Sequence, residues 1–222
     1  YSPGRLLEIA KSLPYDVEEI LLDAVIEKMR RGKYHCDLKV QIHVDTSGSM
    51  RPAIETAREL TKMICLCLKT SPTVYTASVF PQRIKPLKNT PDEWEKALSA
   101  LKPFGRTPLG AGLKLAKAHG ETDVDVIVLI TDGRENMAPY FIDEYSSLSK
   151  KPLVKLVKMG DYDIGFEETL VENGVPVEST VVRKVDQYTI AEIAASILKG
   201  EIDILTEVTK IEPPTRPEGT LR

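Results

Sequence analysis

The sequence has few cysteines and no long apolar run, and both shortages limit the kind of protein it can be. Its three cysteines, Cys36, Cys65 and Cys67, have neither the number of a disulfide framework nor the spacing of a zinc site. Cys65 and Cys67 are two positions apart in a stretch that looks helical, where they would not face each other. No apolar stretch reaches membrane-spanning length, and no Asn-x-Ser/Thr acceptor occurs. We therefore expect no membrane segment and a reducing, cytoplasmic setting.

Motifs of common enzyme classes are also missing. Residues 105–112 lack the Gly-Lys-Ser/Thr ending of a P-loop and the GxGxxG order of a dinucleotide site. No Gly-x-Ser-x-Gly elbow accompanies the three histidines. Asp123 and Asp125 resemble a phosphatase DxDx motif, but they stand at the start of a predicted strand, which is the wrong edge for catalysis. We expect a protein that is not an enzyme, with no catalytic residues.

Charge and length set looser limits. The formal net charge of −3 gives no overall attraction to nucleic acid or to anionic membranes. A chain of 222 residues can form one large α/β domain with an appendage. The chain begins with Tyr1 rather than methionine, so we expect a fragment or a processed product.

Strand and helix patterns alternate along most of the chain. Strands are predicted at 38–44, 73–80, 124–130, 153–159 and 179–185, with an extended piece at 83–87; helices are predicted at 52–68, from 90 onward, and at 108–119, 139–148, 166–172 and 189–198. Polar residues alternate with apolar ones in 38–44, which predicts one wetter face, although His43 itself is expected to be buried. Residues 124–130 are almost wholly apolar, as in a central strand covered on both faces. Because the connections are helical, we expect an α/β fold with a doubly wound, mostly parallel, Rossmann-like sheet and helices on both faces.

Two flanking segments differ from this pattern. Residues 1–36 are predicted to form an N-terminal helical extension, because apolar residues recur there at intervals of three and four. Residues 37–200 form the main domain. Residues 201–222 form an extended C-terminal tail with several prolines.

Five oxygen-bearing side chains mark the candidate site. They are Asp45, Ser47 and Ser49 in VDTSGSM, Thr107 in GRTPLGAG, and Asp132 in VIVLITDG. Each segment follows a predicted strand or precedes a predicted helix, so the five can meet at the carboxyl edge of the sheet if their strands are neighbours. An all-oxygen set suits a hard cation, magnesium first, with manganese or calcium as alternatives. Taken singly, the hydroxyls also fit helix caps, and Asp132 with Gly133 fits an ordinary turn.

These residues resemble the von Willebrand factor A domain with a metal-ion-dependent adhesion site. That family has Asp-x-Ser-x-Ser after its first strand, a threonine in a later loop, and an aspartate, often in Thr-Asp-Gly, after its fourth strand. The matching segments are Asp45-Thr46-Ser47-Gly48-Ser49, Thr107, and Thr131-Asp132-Gly133. The resemblance covers residues 37–200. It implies that Ser47, Ser49 and Thr107 contact the cation, while Asp45 and Asp132 act directly or through water.

The resemblance also implies a function. We expect a magnesium-dependent protein-interaction module that takes an Asp or Glu carboxylate from a protein partner, within an intracellular multiprotein assembly that includes an AAA-type ATPase. Arg51, Arg106 and Arg134 adjoin the three segments and would favour an anionic partner. The alternative is the von Willebrand factor A part of a Ro-like RNA-binding ribonucleoprotein, in which those arginines meet phosphate. A magnesium-dependent phosphotransfer enzyme is less favoured because no base or nucleophile is evident.

Overall fold

Strands and helices alternate as the sequence predicts. The computed structural model describes residues 39–68 and 71–182. Its six strands are β1 Val40–Asp45, β2 Thr73–Ala77, β3 Arg83–Ile84, β4 Val126–Thr131, β5 Leu153–Met159 and β6 Val177–Val182. Its helices are α1 Ile54–Cys67, α2 Pro91–Leu98, α3 Ala111–Ala118, α4 Phe141–Ser146 and α5 Ile164–Glu172, with a short 3-10 helix, Gly48–Met50, after β1. The predicted N-terminal extension, the helix at 189–198 and the C-terminal tail lie outside the described residues.

The strands form one sheet in the order β3-β2-β1-β4-β5-β6. All neighbouring pairs are parallel except β2 and β3, which are antiparallel. The chain therefore winds outward from β1 in two directions, first through β2 and later through β4. This confirms the predicted doubly wound, mostly parallel sheet. The order reverses between β1 and β4, and crevices at the carboxyl ends of such strands are the usual binding positions in open α/β sheets.

Helices cover both faces of the sheet, as predicted. On one face, α1 presents apolar residues at helical spacing, among them Ile54, Ala57 and Leu60, to a buried cluster that includes Val40, Ile42 and Val44 of β1. On the other face, a second cluster joins Leu113 of α3, Phe141 of α4 and Phe166 of α5 to β4 and β5. Two separate apolar cores thus cover the sheet, one on each face. No helix in the described ranges is long and apolar enough to cross a membrane.

The prediction that β1 has one solvent-exposed face is wrong. Gln41 and His43 are 3% and 0% exposed, so the whole strand is buried. The reason is close packing of α3, where a Cβ built on Gly112 would lie 2.5 Å from His43 Nδ1. His43 Nε2 lies 3.2 Å from Gln41 Oε1, and its ring stacks on Tyr75. The buried position of His43 itself was predicted, although its Nδ1 has no hydrogen-bond partner.

Candidate functional site

The candidate site lies where the strand order reverses. β1 ends at Asp45 and β4 ends at Thr131, and the two strands are adjacent and parallel. Thr131 Oγ1 donates a hydrogen bond of 2.7 Å to Asp45 Oδ2, across 86 residues of sequence. The two strand ends are therefore joined by their side chains as well as by the sheet, and Asp132 follows directly.

Asp45 is wholly buried and both of its carboxylate oxygens accept hydrogen bonds. Oδ1 accepts from the backbone N–H of Ser47 at 2.8 Å, and Oδ2 from Thr131. Burial raises the pKa of Asp45 to about 6, and the nearby charge of Asp132 adds to the rise, while the hydrogen bonds from Ser47 and Thr131 oppose it. Two carboxylates thus share a poorly hydrated place, where a bound cation would offset their charge.

Ser47 and Ser49 bring two hydroxyls together at the start of the loop. Ser47 Oγ lies 3.0 Å from Ser49 Oγ, with Ser47 buried and Ser49 exposed. Ser47 occupies the N-cap position of the 3-10 helix, but its side chain makes no capping hydrogen bond. The helix-cap explanation therefore does not account for Ser47.

Thr107 lies in a loop that is hydrogen-bonded to both neighbouring segments. Its backbone N–H donates to Asn136 Oδ1 at 3.1 Å, and the N–H of Asn136 donates to the Thr107 carbonyl at 3.2 Å. On the other side, Gly48 N–H donates to the Gly105 carbonyl at 3.0 Å. Thr107 is 2% exposed and precedes Gly110, the N-cap of α3, by three residues. Its loop is thus fixed between the segments that carry Ser49 and Asp132.

Asp132 is held by a tight turn. Its Oδ1 accepts from the N–H of Arg134 at 3.2 Å, and its carbonyl accepts from Asp163 N–H at 2.9 Å. Gly133 has φ +75°, and a Cβ there would lie 2.7 Å from both the Asp163 carbonyl oxygen and the Tyr162 ring. Only glycine combines that backbone angle with such close packing. The turn interpretation of Asp132 and Gly133 is thus correct as local geometry, and it leaves the side chain, 5% exposed, beside Asp45.

Two supporting residues were missed by the sequence analysis. Asn136 positions Thr107, as described, and Glu135 accepts a hydrogen bond from Phe141 N–H at 2.7 Å. Backbone N–H groups of Leu109 and Gly110 also reach Glu135, and burial raises its pKa to about 7 despite them. Both residues follow Asp132 in an irregular loop, so their only signal in the sequence was a pair of polar residues close to the motif.

The motifs set aside in the sequence analysis lie elsewhere or have structural roles. Asp123 and Asp125 stand at the opposite edge of the sheet, where they form ion pairs with Lys39 and Lys150. Asp163 caps α5, because its Oδ1 accepts a hydrogen bond from Gly165 N–H at 3.0 Å. Cys65 is buried inside α1.

The donor chemistry fits a hard cation. In residues 39–68 and 71–182, no group of three or more His, Cys, Asp or Glu side chains is arranged to hold a metal ion. The predicted set has only two carboxylates, and its other oxygens are the hydroxyls of Ser47, Ser49 and Thr107. Oxygen donors of this kind suit magnesium, manganese or calcium and disfavour zinc or copper.

Comparisons with known proteins agree with this architecture. Residues 40–135, somewhat less than half of the chain, match the family model of the von Willebrand factor type A domain. This match supports a von Willebrand factor A domain in this part of the chain. Its matched segment ends just beyond Asp132 and so contains all five predicted site residues.

Solved structures with a similar fold include two von Willebrand factor A domains. A von Willebrand factor type A structure from Catenulispora acidiphila is 18% identical, with a TM-score of 0.58; the match covers 72% of this chain and 41% of that one. An aerotolerance-related membrane protein from Bacteroides fragilis NCTC 9343 is 17% identical, with a TM-score of 0.54 and coverage of 72% and 98%. The SpRpn10 VWA domain is 11% identical, with a TM-score of 0.50 and coverage of 70% and 94%. At these identities the likeness concerns the fold alone. A comparison with curated protein sequences finds no match.

Proposed function

We propose that this von Willebrand factor A domain is a magnesium-dependent protein-interaction module. Asp45, Ser47, Ser49, Thr107 and Asp132 would hold the ion at the carboxyl edge of the sheet, and the partner would contribute an Asp or Glu carboxylate. We extend the proposal to a role within a multiprotein assembly; an AAA-type ATPase as partner and a cytoplasmic location stay predictions from the sequence.

The proposal rests on the pairing of β1 with β4. Because these strands are adjacent and parallel, Asp45 and Asp132 approach each other, and the pKa of Asp45 is raised in part by the charge of Asp132. Two carboxylates in a buried place, without a counter-charge from lysine or arginine among the hydrogen bonds of Asp45, favour a bound cation.

The hydroxyls and the hydrogen bonds of Asp45 explain why a partner carboxylate would be needed. Ser47, Ser49 and Thr107 offer neutral oxygens, and both oxygens of Asp45 already accept hydrogen bonds from the protein. We take Asp45 and Asp132 to act through water, so that the protein oxygens directly on the ion would be neutral hydroxyls. A bound magnesium ion would then keep a coordination position and an electrostatic attraction for one further, anionic oxygen.

Positive side chains around the crevice favour the same partner. Arg51, Arg106 and Arg134 are all exposed, and each adjoins one of the three site segments. Exposed arginines attract a carboxylate at long range and speed association at low salt.

Calorimetric titration with magnesium chloride tests the proposal. We expect Asp132→Ala, Ser49→Ala and Thr107→Val each to weaken magnesium affinity at least about tenfold, as loss of metal-site groups generally does. Ser99→Ala and Thr61→Val are matched controls, because each removes a hydroxyl that bonds a helix carbonyl away from the crevice. Unchanged affinity in Asp132→Ala and Thr107→Val would refute the metal site.

A further inference from the structure

Two exposed phenylalanines stack on each other beside the candidate site. Phe80 is 71% exposed and Phe104 is 64% exposed, and their ring centroids lie 6.5 Å apart with planes inclined by 21°. Burial of such side chains away from water is favourable, so a pair left exposed marks a surface suited to a partner. We call these two rings the aromatic pair.

The aromatic pair is rigidly connected to the candidate metal site. Phe104 N–H donates to the carbonyl of Thr46, between Asp45 and Ser47, at 2.8 Å. Gly105, the next residue, has φ +73° and accepts a hydrogen bond from Gly48. A partner that reaches the loop after β1 would therefore find the aromatic pair directly alongside.

The aromatic pair lines one cavity, and a second cavity shares the lining residues Ser78 and Val79 with the first. One, of about 230 Å³, lies between Thr46, Leu101 and the two phenylalanines. The other, of about 390 Å³, is lined by Val79, Pro81, Pro108 and apolar residues of α3, and Pro108 follows Thr107 directly. The larger cavity is lined mainly by apolar residues, whereas the smaller one combines Leu101 and the two rings with polar residues such as Thr46 and Ser78. The larger cavity therefore suits an apolar side chain better than the polar edge of a nucleic-acid base.

The charge of the surface near the aromatic pair indicates the charge that its partner should carry. Segments 78–82 and 99–107 carry the pair, and segment 46–53 is hydrogen-bonded to the second of them; the three contain Arg51, Lys102 and Arg106 but no Asp or Glu. All three cations are exposed. This surface is thus positively charged around an apolar centre.

We propose that the aromatic pair and its cavities bind an apolar side chain, aromatic or large aliphatic, next to the partner's acidic residue in an acidic protein segment. The inference rests on the proposed function and adds the apolar half of the recognition element. The carboxylate would contribute the magnesium-dependent part of the affinity, and the apolar side chain the selectivity among acidic segments.

A peptide panel tests this inference separately from the metal site. Blocked Gly/Ser peptides carry one Asp and one Phe, with the Phe moved through the three positions on either side of the Asp; matched peptides replace Phe by Ala or Asp by Asn. The peptides are immobilised on a biosensor, and the full chain is passed over them with magnesium or with EDTA. We expect the best Phe peptide to bind at least about tenfold more tightly than its Ala counterpart.

The variants make the two proposals distinguishable. Phe104→Ala and Phe80→Ala should remove the Phe advantage while leaving the Ala peptide's affinity unchanged, and Leu87→Ala, a fully exposed apolar control, should alter nothing. EDTA should weaken the binding of both peptides. If EDTA has no effect, the proposed function fails; if EDTA acts but no Phe position improves binding, only this inference fails.

Other occupants would give different results. A dimer in sedimentation velocity that Phe104→Ala abolishes would assign the surface to a second copy of this chain. A photo-crosslink from a phenylalanine analogue at position 80 to residues 1–38 or 183–222 would assign it to the chain itself. Oligouridine binding that falls steeply with salt and is lost in Phe104→Ala would assign it to RNA. Each of these outcomes overturns the inference.

Discussion

At the scale of single residues, burial shifts the pKa values of two residues of β1 in opposite directions. His43 and Asp45 share one face of the strand and both are 0% exposed. Because burial favours the neutral form, it lowers the pKa of His43 to about 3 and raises the pKa of Asp45 to about 6. Acid therefore eases the burial of Asp45 but opposes that of His43.

His43 should make the domain sensitive to acid. Its pKa falls from the ordinary 6.5 to about 3 in the folded state, so below pH 6.5 the unfolded chain takes up a proton that the folded chain refuses. Stability from this residue is complete above pH 6.5 and is lost as pH falls toward 3. We expect the wild type to lose on the order of 3 kcal/mol more unfolding free energy than His43→Leu between pH 7 and pH 4.

Urea unfolding in EDTA at several pH values measures this difference. Asp45 is present in both proteins, so its opposing effect largely cancels. His119→Gln, which replaces an exposed histidine, should follow the wild type. Parallel pH profiles for wild type and His43→Leu would contradict the prediction.

At the scale of elements, the close packing of α3 against the sheet depends on Gly112, which has no side chain. A Cβ on Gly112 would lie 2.5 Å from His43 Nδ1 and 3.3 Å from Tyr75 Cβ. Glycine costs a helix about 1 kcal/mol relative to alanine, so its presence within α3 reflects close packing. The same helix begins just after the loop that holds Thr107, and its position helps to fix that loop.

Gly112→Ala should therefore destabilise the domain by about 1–3 kcal/mol, because α3 or the His43 ring must move. Gly165→Ala is a matched control in α5, where the nearest atom to the added Cβ is the side-chain Asp163 Oδ1 at 3.3 Å. We expect that control to be neutral or stabilising, since alanine is the better helix former. Urea unfolding at pH 7 measures both, and equal effects would argue against the packing explanation.

Periodic elements were predictable from the sequence, and irregular ones were not. The bounds of β5 were predicted correctly, and β4 was rightly expected to be covered on both faces. The exposed side of β1 was wrongly predicted, because its burial depends on α3, which lies far along the chain. Helices expected to start at 52, 108 and 139 begin at Ile54, Ala111 and Phe141, since turns precede them. Asn136 and Glu135 lie in a loop without periodicity, and their roles depend on contacts that only the fold creates.

At the scale of the whole molecule, the two edges of the sheet differ in charge pattern. Near the amino ends of β1 and β4, Lys39 and Lys150 pair with Asp123 and Asp125. The pKa values of these two carboxyls are lowered by those lysines. At the carboxyl edge, Asp45 ends β1 and Asp132 follows β4, and the exposed residues Arg51, Arg106 and Arg134 adjoin the site segments in sequence. We therefore expect a cation to change the stability of the domain at the carboxyl edge.

Magnesium should stabilise the folded domain, because an ion that binds only the folded chain shifts the unfolding equilibrium. At about 100 times its dissociation constant, the gain is about 2.7 kcal/mol. Urea unfolding in magnesium and in EDTA, at matched ionic strength, measures the gain. Thr107→Val should lose most of it, whereas Thr61→Val should keep it, and equal gains in both variants would point to a general salt effect.

The directions of β1 and β6 also determine at which edge of the sheet a tether would be attached. The described chain enters β1 at Lys39, on the ion-paired edge, about 20 Å from the crevice if each of the six residues of β1 advances about 3.3 Å. It leaves β6 at Val182, on the crevice edge. A tether attached upstream of Lys39 therefore joins the domain at the edge away from its candidate binding face, whereas one attached downstream of Val182 starts on the crevice edge itself.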